Sequence, residues 1–301
     1  MRIAAIMIGV GVILAGSSAF AEETKEETKT VEAIKNIYAV VHGSGVDSNT
    51  TFIVTPDGVV VIDTRSTPQE ALKIKEEIRK HTDLPILYTI NTHYHGDHTF
   101  GNQVFKDGKV IIAHKNVRSR LIDSGKAHLD FFKTFNLPGM DEVEITLPNM
   151  TYENTMELYP GGYHLQLIHR GRGHTDGDTV VYIEELKTVI AGDLVFNNKI
   201  PYMGDAYVDE WIESLAYLQG LNNEVVIPGH GDVGGKPLII GMKHYLIKLK
   251  NLVTAAIKEK KSLKETQESV GPVLREEYKD WANLKWVDAN IERAWLEYSL
   301  K

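Results

Sequence analysis

The sequence predicts a layered α/β fold in which helices cover two sheets. Short apolar runs bounded by Gly, Pro, Asn and Asp recur from residue 37 to residue 227, as strands do. Segments with helical apolar spacing lie between them in both halves of the chain, which favours helix, sheet, sheet, helix layering over an antiparallel sandwich. With 301 residues, 43% hydrophobic and 25% charged, the chain has enough apolar material for a substantial core, which excludes disorder throughout.

The elements follow in order. Arg2, an apolar run over 3–14 and the Ala19-Phe20-Ala21 pattern read as a secretory signal peptide over 1–21. An uncleaved anchor is the competing reading, since 3–21 nearly reaches a membrane-spanning length, but the small residues and the cleavage pattern favour removal. Residues 22–30 are charged and almost free of apolar groups, as suits a solvated leader. Residues 31–301 then form one domain. Its first strands are expected at 37–41, 51–55 and 59–63, with Pro56-Asp57-Gly58 as a turn. Ala71, Leu72, Ile74 and Ile78 recur at helical spacing behind Pro68, so 68–80 reads as a helix, and 86–90 as the strand that completes a β-α-β unit. Further strands are expected at 110–113, 163–169, 179–183, 188–191 and 225–227, and helices at 114–124 and 209–219. From about 236 onward the chain reads as a helical extension.

Composition narrows the chemistry. The net charge is −8, and it becomes −9 once a segment holding one basic and no acidic residue is removed, so nothing electrostatic favours nucleic acid. There is no cysteine, hence no disulfide, thiolate ligand or cysteine nucleophile.

The chemistry concentrates in His93-Tyr94-His95-Gly96-Asp97-His98, where six residues hold four metal-ligand side chains. An H-x-H-x-D-H match arises roughly once in a thousand shuffled sequences of this composition. His93 and His95, two apart at a strand end, can share one cation; Gly96 is read as the turn that lets Asp97 and His98 face a second. Zinc takes about four ligands and a catalytic site keeps one position open, so two sites need further donors downstream. Gly173-His174-Thr175, Gly192-Asp193 just after a strand, and Pro228-Gly229-His230-Gly231 supply them.

This ordered set resembles the metallo-β-lactamase superfamily over residues 37–234. The resemblance implies a four-layer αββα sandwich and two Zn2+ ions, one on His93, His95 and His174 and the other on Asp97, His98 and His230. It further implies that Asp193 bridges them and that Asp63 holds the outer N–H of a ligand histidine. Asp97 would take or relay a proton while metal-activated water attacks an acyl or phosphoryl centre. Two of the three groups of true metallo-β-lactamases carry a cysteine where this chain has Asp193, and the third lacks the bridging aspartate. The ligand set is instead similar to glyoxalase II and to the lactonases. Against those, no glutathione-binding basic cluster is evident, and Phe196 stands where similar lactonases carry a tyrosine. The segment from Gly192 to Tyr202 resembles exported hydrolases near the cysteine-bearing lactamases.

The expected substrate is a small molecule with an ester, thioester, lactone or β-lactam bond. Iron or manganese suits the same imidazole and carboxylate donors, so an iron-dependent redox or sulfur-handling protein, or an accessory metal-binding protein of an exported redox system, shares the ligand set. The remaining histidines, 42, 81, 114, 128, 164, 169 and 244, read as surface or strand residues. Trp211 and Tyr217 read as packing residues of the helix over 209–219, and Tyr202 as lining the pocket. The helical tail with Trp281, Trp286 and Trp295 covers the site, dimerises or completes the fold, and the sequence leaves these open, along with the oligomeric state. After export and cleavage no membrane anchor is expected.

Overall fold

A computed structural model describes residues 28–43, 46, 48–106 and 110–300. The expected signal peptide and most of the expected leader lie outside the described residues; the last two positions assigned to that leader, Lys29 and Thr30, belong to a strand instead. The first sheet runs in chain order: β1 (Lys29–Ile34), β2 (Ile37–Val41), β3 (Thr50–Thr55), β4 (Gly58–Ile62), β5 (Ile86–Ile90), β6 (Val110–His114) and β7 (Met150–Tyr152). Hairpins join β1 to β4, whereas β4 to β7 pair in parallel. The second sheet has the order β12 (Val225–His230), β11 (Thr188–Phe196), β10 (Val180–Ile183), β9 (Leu165–Ile168), β8 (Thr155–Leu158).

Between β4 and β5 lies α1 (Pro68–Arg79), begun by Thr67, whose side chain accepts from the Glu70 N–H, and by Pro68 in the first turn. It buries Ala71, Ile74 and Ile78 on the first sheet, while Leu72 stays exposed. α2 (Gly96–Thr99) is one short turn, and α3 (Lys115–Lys133) follows β6, running nine residues beyond the expected 124. α4 (Val208–Gly220), α5 (Lys236–Lys258), α6 (Leu263–Glu277) and α7 (Val287–Ser299) cover the other sheet.

The two sheets pack face to face through Ile37, Ile53, Val60, Ile62, Ile90 and Ile112 on one side and Leu165, Leu167, Val181, Ile183, Ile190 and Ile227 on the other. Helices on both outer faces complete the expected four-layer αββα sandwich. The described residues contain no helix long and apolar enough to cross a membrane. Strands β1, β7 and β8 have no counterpart in the sequence reading: β7 and β8 are three and four residues long, too short for a period-2 pattern to declare itself.

Candidate metal centre

Every donor arrives at one rim of the sandwich. β5 ends at Ile90, and residues 93–95 follow in irregular backbone that leads into α2. His93 and His95 therefore meet through a turn rather than through strand alternation. Gly96 corrects the sequence reading too: it begins α2 without a left-handed backbone, and glycine is needed because a Cβ there would lie 2.3 Å from the Phe100 ring. Asp193 also differs from expectation. It lies inside β11, which continues to Phe196, because a register shift around Gly192 turns the strand without ending it. His230 is the last residue of β12, and His174 sits in the loop from β9 to β10. That loop is held by the buried Asp178 carboxylate, which accepts from the Thr175 N–H and hydroxyl at 3.0 and 2.6 Å. Burial pushes Asp178 up to about 7 against those donors.

The seven side chains are buried and form two groups with ligand atoms within 4.8 Å of one another: His93, His95, His174 and Asp193, and Asp97, His98 and His230. His95 Nδ1 and His174 Nε2 face each other at 3.0 Å. Asp97 Oδ2 lies 3.3 Å from His98 Nε2 and 3.2 Å from His230 Nε2. The Asp193 carboxylate touches both groups: Oδ2 is 3.3 Å from His174 Nε2 and from His230 Nε2, and Oδ1 is 3.1 Å from His98 Nε2. Gly229 makes room for it, since a Cβ there would come within 1.9 Å of Asp193 Oδ1.

Charge and burial favour cations at this place. Burial and the neighbouring His98 imidazole keep His93 well below its ordinary range, and burial takes His174 down to about 3, so both are neutral with a lone pair to give. Burial pushes Asp97 and Asp193 up, but the surrounding imidazoles outweigh it and hold both carboxyls well below the usual range. The carboxylates in turn raise His98, and raise His230 to about 9, against burial. A metal competes with a proton for those same lone pairs. His93 Nε2, His98 Nε2 and Asp193 Oδ1 are buried and make no hydrogen bond, although His98 Nε2 and Asp193 Oδ1 are close enough for one. Atoms aimed at a common point rather than at each other have this geometry, and it fits a metal pair.

The outer ring nitrogens are held as well. His98 Nδ1 donates to Asp63 Oδ2 at 2.7 Å, and Thr92 Oγ1 donates to the same oxygen at 2.7 Å while lying 3.1 Å from His93 Nδ1. Asp63 thus steadies a histidine of each group, directly or through Thr92, from just beyond β4 with φ of 63°.

Sequence reasoning missed several supporting residues. Asp205 accepts from His95 Nε2 at 3.1 Å, which leaves His95 Nδ1 as the lone-pair nitrogen; the bond from His95, with Tyr94, overcomes burial and lowers the Asp205 carboxyl. Only the short Gly204-Asp205 pair marks it in sequence. Asn49 donates to the carbonyls of Pro228 and Gly231, and Ser48 to that of Asp97, pinning both turns of the second group. His128, read as a surface or strand residue, projects from α3, stacks on His95 with centroids 5.1 Å apart and accepts from the Gly96 N–H; burial takes it down to about 3. Phe196 stacks on His230 with centroids 4.9 Å apart and offers no hydroxyl. Trp211 is fully buried against His174, and Tyr217 packs half-buried on the core under Arg170. Tyr202 lies beside His95, 5.9 Å between centroids.

Residues 43–230 match the family model of the metallo-beta-lactamase superfamily. A metallo-beta-lactamase type 2 from Elizabethkingia meningoseptica is 26% identical over 240 residues, spanning 76% of this chain and 87% of its own. A metallo-beta-lactamase from Pontibacter korlensis superposes with TM-score 0.61 at 21% identity, over 73% of this chain and 99% of its own. The sec-alkylsulfatase Pisa1 from Pseudomonas sp. reaches TM-score 0.70 at 19% identity, over 90% of this chain and 50% of its own. The two solved structures speak for the fold alone. Matched over most of its length, and carrying two His/Asp clusters able to hold metal, the chain belongs to the metallo-beta-lactamase superfamily of hydrolases.

Proposed function

We propose that this chain is an exported hydrolase that holds two zinc ions and cleaves an ester, thioester, lactone or β-lactam bond in a small molecule. The observation that carries the reading is the Asp193 carboxylate, which reaches imidazoles of both groups within 3.3 Å. One ion would be held by His93, His95 and His174, the other by Asp97, His98 and His230, with Asp193 between them. Imidazole and carboxylate donors with no thiolate suit zinc and also accept iron or manganese. When bound, a zinc pair supplies Lewis-acid activation of water and of the scissile carbonyl near neutral pH.

The chain's own residues do the rest. Asp97 keeps its carboxylate ionised beside His98 and His230, so it can accept a proton from the attacking water and pass it to the leaving group. Asp63 and Asp205 keep the imidazoles in the tautomers that leave a lone pair facing inward. The buried surroundings exclude bulk water and strengthen each of these interactions.

The test is a panel comprising a chromogenic cephalosporin, a thioester, an acyl lactone and simple esters, run on protein loaded with two zinc equivalents, alongside Asp97→Ala. We expect turnover of at least one class and a loss of about 10²–10⁴-fold in the variant. Absence of metal-dependent turnover across the panel overturns the hydrolytic reading. Metal analysis of protein purified without added metal decides zinc against iron, and N-terminal sequencing of exported protein tests cleavage after Ala21.

A further inference from the structure

Aromatic rings extend outward from the metal centre on the His95 side, and they come from three distant parts of the chain. Tyr202, in the loop after β11, stands edge-on to His95. Trp286, just before α7, packs against Tyr202 with centroids 5.3 Å apart, and Phe131, near the end of α3, lies 6.5 Å from Tyr202 at 29°. Phe131 is 38% exposed, a large apolar surface left open beside a polar centre.

The Tyr202 ring is held in place. Tyr202 folds back over Gly204, where a Cβ would meet the hydroxyl at 2.1 Å. The loop carrying Tyr202 is bonded to the C-terminal segment: Ala282 N donates to Asn198 O at 2.8 Å, Ile200 N to Ala282 O at 2.9 Å, and the buried Asn290 amide to Pro201 O at 2.9 Å. Burial and Asp205 raise the Tyr202 hydroxyl to about 12, so the ring is neutral at physiological pH. Rigid rings offer contact area at little conformational cost.

We propose that Phe131, Tyr202 and Trp286 form an apolar subsite beside His95 that takes an alkyl or aryl group next to the scissile bond of the substrate. The C-terminal helical segment is then part of the substrate site, both by supplying Trp286 and by fixing the Tyr202 loop. The inference rests on the hydrolytic reading for its substrate class, and its test separates the two.

On zinc-loaded protein, kcat/KM is measured for p-nitrophenyl esters from acetyl to decanoyl and for acetates of alcohols from ethanol to decanol. One series is expected to rise about three- to fourfold per methylene over its first members, the value of burying a methylene. Trp286→Ala and Phe131→Ala are each expected to cut the long-to-short ratio at least tenfold, and Ile122→Ala, exposed elsewhere on α3, to keep it. Phe131→Ala removes an exposed ring, so it reports on the subsite even where Trp286→Ala perturbs folding. If the zinc protein hydrolyses neither series, the cobalt-substituted protein is titrated with acetate through decanoate and followed by its visible spectrum. Tightening with chain length that Phe131→Ala abolishes then upholds the subsite while the ester reading fails. A ratio or affinity trend that is flat in the wild type, or unchanged in both variants, overturns the subsite.

Discussion

Asp205 holds the outer nitrogen of His95 alone, whereas Asp63 holds that of His98 directly and reaches His93 only through Thr92. Removing such a partner frees the ring to rotate and to adopt the wrong tautomer. Asp205→Ala is expected to weaken metal at the His93, His95 and His174 cluster about 10- to 100-fold, and Asp63→Ala to weaken the cluster of His98 by a similar factor and that of His93 less, both read by competition with a chelating indicator in which two binding steps are resolved. Equal losses at both steps in both variants would refute this division. Gly229 presses against the Asp193 carboxylate that lies between the two clusters, so Gly229→Ala must push it aside. The expected outcome is at most one metal bound per chain, by elemental analysis, with stability lowered by about 1–3 kcal/mol in urea unfolding.

At the scale of elements, β6 passes into α3 through His114, whose Nδ1 accepts from the Asn116 N–H as a helix cap and whose Nε2 donates to Glu153 O at 2.8 Å. Its ring stacks on His169, at the end of the β9 strand, with centroids 3.8 Å apart. Both groups sit below the ordinary 6.5: burial first and His169 second bring His114 to about 4, and burial lowers His169. A base with a lowered folded pKa binds fewer protons folded than unfolded, so its contribution is complete above 6.5 and is lost as pH falls from there towards 4. Denaturant unfolding should therefore show the stability of the wild type relative to His114→Gln falling across that window. A difference between the two proteins that is the same at pH 7 and 4.5 would contradict it. The elements that escaped the sequence reading share one physical cause. β7 and β8 are too short to show periodicity, and β1 is amphipathic on the end of a charged stretch, so pairing rather than local pattern makes them strands.

Taken whole, the molecule ties its C-terminal helices to the metal rim through single buried bonds. Asn290 on α7 donates to Pro201 O and to the Tyr245 hydroxyl on α5, at 2.9 and 2.8 Å. Asn290→Ala leaves both acceptors buried and unpaired, which should cost about 1–3 kcal/mol in denaturant unfolding. The two His/Asp clusters were legible in the sequence because metal chemistry restricts candidate donors to a few side-chain types, and His93 to His98 crowd four of them into six positions. The alternation of strand and helix was legible because burial imposes a period on each element. Asp205, Asn49 and His128 were not, since each is ordinary in its local context and meets the site only across the fold; His95 and Asp205 are 110 positions apart. What the sequence alone determined was the set of candidate donors and the layered class, both written in residue types and local spacing. What tertiary structure alone decided was the company those donors keep, because contacts between distant segments leave no local periodicity to read.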